Sequence, residues 1–133
     1  MGDSHDQDNG LFRILLVDDE PSVLFALKLL LEALGYKPFD FSIATAALDF
    51  LRNGNNCDLF ICDLKMPRMN GLEVLAESKK IRADLPFVLM SAHATTGEVD
   101  NAKQLGAFGF LAKPFTPEQL NEVVSSIRVA KGR

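Results

Sequence analysis

Short apolar runs alternate with helix-length amphipathic segments five times along this chain, and few folds accept that order. Strands are expected over 12–17, 37–41, 59–63, 87–90 and 108–111, and helices over 21–34, 44–53, 72–81, 96–105 and 117–129. Strands separated by helices are joined by right-handed crossovers, which predicts an α/β fold with a doubly wound, five-stranded parallel sheet and helices on both faces. Pro38 lacks a ladder donor and assigns the second strand to the rim of the sheet. The punctuation agrees with these boundaries. Gly35 and Gly106 stand where left-handed caps close helices, and Thr116-Pro117-Glu118-Gln119 supplies an N-cap, a proline at the first helical position and a capping-box partner.

With 133 residues, 47% of them hydrophobic and 24% charged, the chain is long enough for one well-buried core. The expected division is an acidic, disordered tail over 1–10, one folded domain over 11–130 and a short tail over 131–133. The first ten residues lack the apolar centre of a signal peptide, and no apolar stretch is long enough for a membrane span. A net charge of −4 offers no basic stripe for nucleic acid, so direct nucleic-acid binding is not expected. Cys57 and Cys62 are not spaced as a redox or zinc motif. Both read as reduced thiols in a cytoplasmic protein, Cys62 as a small core residue.

The chemistry is concentrated where strands end. Ile14-Leu15-Leu16-Val17 stops in Asp18 and Asp19, and Leu59-Phe60-Ile61-Cys62 stops in Asp63. In a sheet of order 2-1-3-4-5, strands 1 and 3 are neighbours whose helices go to opposite faces, which leaves a crevice at their carboxyl ends. Two unit charges about 4 Å apart repel by roughly 4 kcal/mol at an effective dielectric of 20, so three carboxylates in one crevice require a proton or a cation. Hard oxygen donors with no histidine or cysteine among them suit Mg²⁺ or Mn²⁺ rather than zinc. One of Asp18, Asp19 and Glu20 also stands where it can cap the helix opened by Pro21. Strand four ends in Ser91 and strand five in Lys113, which carry a hydroxyl and an ammonium to the same rim. Lys113 then either holds an anion beside Asp63 or serves as counter-ion to the acids.

In the first helix, Val23, Leu27, Leu30 and Leu34 form the expected core stripe. Phe25 and Leu29 project about 160° away from it and should face solvent.

From about Arg13 to Val129 the chain resembles the receiver domain of two-component response regulators. The resemblance rests on Val17-Asp18-Asp19-Glu20-Pro21, on Asp63-Leu64-Lys65-Met66-Pro67-Arg68-Met69-Asn70-Gly71, on Ser91-Ala92 and on Gly106 through Phe115. It implies a flavodoxin-like (βα)5 fold with Asp63 as phosphoacceptor. Mg²⁺ would then be held by Asp18, Asp19, Asp63 and the backbone carbonyl of Lys65. It further implies that Ser91 and Lys113 contact the phosphoryl group, that Phe110 occupies an aromatic switch position, and that the Lys113-Pro114 peptide is cis. Phe110 has no hydroxyl and can also be read as a permanent core residue.

Lys65 and His93, two residues beyond Asp63 and Ser91, would flank the path of a hydrolytic water and tune autodephosphorylation. Phe25, Leu29, Pro114 and Phe115 would form the docking surface for a sensor histidine kinase or histidine phosphotransferase. The face built by the fourth helix, fifth strand and fifth helix would serve a homodimer. Such a domain phosphorylates and dephosphorylates only itself and is not an enzyme acting on an outside substrate. A phosphorylation-independent pseudo-receiver is the nearest alternative, against which the set Asp18, Asp19, Asp63, Ser91 and Lys113 argues. An aspartate-nucleophile phosphatase would place its second acid two residues after the first, where this chain has Glu20 and Pro21 following Asp18. A flavin-binding flavodoxin would need a Ser/Thr/Gly-rich loop there instead.

Overall fold

Alternate side chains of a strand point to opposite faces of a sheet, and in this chain both faces of the central strands are apolar. The computed structural model, which describes residues 10–132, contains β1 (Arg13–Val17), α1 (Pro21–Ala33), β2 (Lys37–Phe41), α2 (Ala44–Arg52) and β3 (Leu59–Asp63). It continues with α3 (Gly71–Ile81), β4 (Phe87–Ser91), α4 (Thr96–Gln104), β5 (Gly109–Ala112) and α5 (Pro117–Ala130). All strands are parallel, in the order β2-β1-β3-β4-β5, so β2 with its Pro38 is an edge. The expected acidic tail lies outside the described residues except for Gly10. Among the described residues no helix is long and apolar enough to cross a membrane.

Strand parity sorts the core into two layers. Ile14, Leu16, Leu59, Ile61, Val88 and Met90 pack against Leu24, Leu27 and Leu31 of α1 and Leu120, Val124 and Ile127 of α5. Leu15, Val17, Phe60, Cys62, Phe87 and Leu89 pack on the other face against α2, α3 and Ala102 of α4. Phe60 and Phe87 sit opposite each other across β3 and β4 with ring centres 4.7 Å apart. Each ring contributes roughly 1.5–3 kcal/mol by leaving water. Cys57 and Cys62 are both reduced and buried. Burial pushes the Cys57 thiol up to about 11 and that of Cys62 well above its ordinary value, so both behave as core residues.

The stripe expected on α1 needs correction. Its buried residues are Leu24, Leu27 and Leu31, while Val23, Leu30 and Leu34 are only half-buried at its flanks. Six leucines between positions 24 and 34 leave the helix apolar nearly all round, and its packing on the sheet chose the face. The exposure of Phe25 and Leu29 is as expected. Strand and helix ends otherwise differ by a residue from those expected: β4 extends to Ser91, β5 is shifted to Gly109–Ala112, and α3 begins at Gly71.

That start of α3 has a steric cause. A Cβ on Gly71 would meet the Asp63 backbone oxygen at 2.6 Å, Leu89 Cδ2 at 2.6 Å and Leu64 Cα at 2.9 Å. The Gly71 N–H donates to the Leu64 carbonyl at 2.8 Å, which seals the helix start against the end of β3. Gly71→Ala is therefore expected to lower unfolding stability by about 2 kcal/mol, read from the midpoint of urea denaturation. Wild-type stability in the variant would refute the account.

Candidate functional site

Register alone delivers the polar residues to one rim. Val17 pairs with Cys62, so Asp18 emerges beside Asp63; Ser91 pairs with Ala112, so Lys113 emerges one residue beyond. The Lys113 N–H donates to the Ser91 carbonyl at 3.0 Å, and the Leu64 N–H to the Met90 carbonyl at 2.8 Å, which fixes both loops where they leave the sheet. β5 and β3 are two strand spacings apart, about 10 Å. A four-carbon stem bridges that span in company with an incoming carboxylate.

The Lys113 Nζ donates to Asp18 Oδ2 at 2.8 Å and to Asp63 Oδ1 at 3.1 Å. Asp18 is fully buried and its other oxygen, Oδ1, accepts the Glu20 N–H at 3.0 Å. The α1 N-cap is Glu20, which makes no side-chain capping bond, so Asp18 shapes the turn before the helix while also facing the site. Asp19, half-buried, completes a cluster in which one carboxylate oxygen each from Asp18, Asp19 and Asp63 lies within 4.8 Å of the others.

Burial raises the Asp63 carboxyl above the usual carboxylate value. The hydrogen bond from Lys113 opposes this rise, and the negative charges of Asp18 and Asp19 add to it. Burial also works against the Lys113 ammonium, but its hydrogen bonds to Asp18 and Asp63 and their charges outweigh that, and its pKa is raised. Three carboxylates against one ammonium leave the cluster short of positive charge. Compact oxygen donors of this kind fit a hard divalent cation with room for further oxygen ligands.

Asp63 opens onto a cleft of about 390 Å³ shared with Glu20, Lys65, Ser91, His93 and Lys113. Ser91 is 3% exposed, and its Oγ accepts the His93 N–H at 3.2 Å, which leaves the hydroxyl proton free to be donated elsewhere. His93 is exposed on the lip. The Lys65 ammonium is drawn to the side, 3.1 Å from Glu98 Oε2. Phe110 is half-buried against the α2–α4 face of the core, and Lys113-Pro114 is cis. Of the residues expected at a docking surface, Phe25 is 61% and Leu29 48% exposed, and Pro114 is exposed. Phe115 is half-buried against the α1 and α5 layer.

Three local features went unread in the sequence. Asn70 and Glu73 form a reciprocal capping box at α3, and Thr95 and Glu98 form another at α4, each with the polar residue and glutamate three apart that a sequence scan could have found. Arg68, at φ 70, holds the left-handed region in the loop between β3 and α3, a conformation costly for a residue with a side chain. Nothing in the sequence marks it.

Comparison with known proteins follows the same outline. Residues 14–125 match the family model described as the response regulator receiver domain. The chain is 38% identical over 120 residues to the two-component response regulator ARR14 of Arabidopsis thaliana, which covers 90% of this chain and 31% of that protein. It is 34% identical over 111 residues to the transcriptional regulatory protein GlrR of Escherichia coli (strain K12), covering 84% of this chain and 25% of that one. It thus spans less than a third of either relative. A solved structure of a response regulator receiver domain protein from Clostridium thermocellum matches with a TM-score of 0.86 at 33% identity, over 92% of this chain and 98% of that chain.

Proposed function

The chain belongs to the response regulator receiver family, and from that premise we propose that it is a phosphoacceptor switch of a two-component or phosphorelay system. The observation that carries the reading is the buried Asp63 carboxylate at the floor of an open cleft, held by Lys113 at 3.1 Å beside two further acids. A carboxylate oxygen of Asp63 attacks the phosphorus of a phosphohistidine on a sensor histidine kinase or histidine phosphotransferase. An O–P bond forms, the P–N bond breaks, and the imidazole nitrogen leaves with the electron pair and takes up a proton from solvent. Positioning and charge supply most of the catalysis in such transfers. Asp18, Asp19, Asp63 and the backbone carbonyl of Lys65 would hold Mg²⁺, or Mn²⁺, which when bound supplies positive charge toward the phosphoryl oxygens.

Lys113 already lies against Asp63 and meets the charge that arrives on it. The free hydroxyl proton of Ser91 is donated to a phosphoryl oxygen. Because Ser91 Oγ also holds the His93 N–H, its movement pulls on the loop into α4, and the half-buried Phe110 turns into the space behind it. Water, approaching past Lys65 and His93, later hydrolyses the acyl phosphate and resets the site. Exposed Phe25 and Leu29 on α1, with Pro114, receive the phosphodonor protein. The complete acid, hydroxyl and lysine set argues against a phosphorylation-independent module.

Incubation with Mg²⁺ and acetyl phosphate is expected to add one phosphoryl group, detected by intact-protein mass spectrometry and removed by hydroxylamine as an acyl phosphate must be. No adduct with Mg²⁺ present would sink the proposal.

A further inference from the structure

Glu98 divides its two carboxylate oxygens between two parts of the molecule. Oε1 accepts the Thr95 N–H at 2.9 Å, while the Glu98 N–H donates to Thr95 Oγ1 at 3.0 Å, closing the box that starts α4. Oε2 lies 3.1 Å from the Lys65 Nζ. Lys65 belongs to the loop that follows Asp63 and lines the Asp63 cleft with Ser91 and Lys113. One carboxylate therefore joins the first turn of α4 to a cation standing at the mouth of the site. The Glu98 carboxyl is held below its ordinary range by the Thr95 backbone hydrogen bond and, after that, by Lys65.

The tie is of a kind that a better anion breaks. Side-chain exposure is 55% for Lys65 and 28% for Glu98, and ion pairs so open to water stabilise by a factor of about five at most. A phosphoryl group on Asp63 brings about two negative charges and three strong acceptor oxygens. It outcompetes a single carboxylate that is already sharing itself with a backbone N–H.

We propose that Glu98 is a positioning residue that parks the Lys65 ammonium beside the Asp63 cleft, and that phosphorylation draws this ammonium off Glu98 and frees the first turn of α4. The relay rests on the phosphoacceptor reading of Asp63. It runs over the outside of the cleft and reaches the start of α4 beside the pull that Ser91 exerts through His93. Its signature is a loosened capping box.

Beryllofluoride with Mg²⁺, a non-covalent stand-in for the aspartyl phosphate, provides the test. Bound fluoride is followed by ¹⁹F NMR and Thr95 amide exchange by ¹H–¹⁵N NMR. In wild type, bound fluoride is expected together with roughly two- to fivefold faster Thr95 exchange, the loss of one exposed ion pair. Glu98→Gln keeps an oxygen for the Thr95 N–H but has no charge to hold Lys65. It should bind beryllofluoride with a clearly smaller acceleration at Thr95 than wild type, leaving only the pull through Ser91 and His93. Lys65→Met, which removes the arm and leaves its backbone carbonyl, should behave alike. Bound fluoride with unchanged wild-type exchange, or with the same acceleration in both variants, overturns the relay. No bound fluoride in wild type overturns the phosphoacceptor reading and the relay with it.

Discussion

Lys113→Met is expected to lower the unfolding free energy near neutral pH by about 3 kcal/mol or more. Methionine keeps most of the stem but removes the ammonium that lies 2.8 Å from Asp18 and 3.1 Å from Asp63. Asp18 is fully buried and cannot recover its lost partner from water, and Asp63, 6% exposed, meets water only through the cleft. Removing one member of a buried ion pair typically costs about 3–5 kcal/mol because the other charge remains behind. The pH dependence follows from the sign of each shift. The folded pKa of Lys113 is raised, so its stabilising contribution is complete below the ordinary lysine value and disappears as pH rises through the raised one. The deficit in Lys113→Met should accordingly narrow on the alkaline side, where wild type loses the same charge. It should narrow again in acid, where the Asp63 carboxylate, its pKa raised, takes up a proton. Urea denaturation across pH measures this, and a neutral-pH deficit below about 1 kcal/mol would contradict the ion-pair account.

The second large effect has opposite signs for stability and activity. Asp63→Asn should abolish phosphoryl uptake from acetyl phosphate, because an amide oxygen cannot replace the attacking carboxylate. The same change should stabilise the fold near neutral pH by about 1 kcal/mol, since it removes one of three crowded acids while leaving an oxygen to accept from Lys113. The folded Asp63 pKa is raised, so ionising it costs the folded state. The group favours folding most below its unfolded pKa and loses that contribution as pH climbs through the raised folded value. The advantage of Asp63→Asn should therefore be absent in strong acid and grow through that window. Retained uptake would show that Asp63 is not the acceptor, and a variant less stable than wild type at neutral pH would show that Asp63 is not under net repulsion.

These opposed effects bear on how much of the site was legible beforehand. Ile61-Cys62-Asp63 and Leu16-Val17-Asp18-Asp19 announce themselves because burial on both faces requires an unbroken apolar run, and a carboxylate can appear only where the strand leaves the core. Ser91 and Lys113 follow from the same logic at β4 and β5. Their convergence is a matter of parallel pairing, and the parallel sheet was itself legible from the alternation of strands and helices.

Other features depended on contacts that local pattern does not encode. In α1, leucine recurs too often for periodicity to choose a face, and the sheet selected Leu24, Leu27 and Leu31 over the stripe through Val23, Leu30 and Leu34. Phe115, expected at a docking surface, is half-buried with its ring on the α1 and α5 layer, a contact that the local pattern does not show. Gly71 stood in a recognisable motif without a stated reason, and the reason is the approach of the Asp63 carbonyl and the Leu89 side chain.

What the sequence determined by itself was therefore the set of elements, their parallel direction and the acids, hydroxyl and lysine at their ends, because one-dimensional hydropathy records which segments must leave water. Tertiary structure alone decided how that charge is shared. Asp18 is split between a turn and Lys113, Lys113 between two acids, and Glu98 between a helix cap and Lys65. Hydrogen bonds and Coulomb forces act over a few ångströms, and only the folded chain brings residues 18, 63 and 113 within that range.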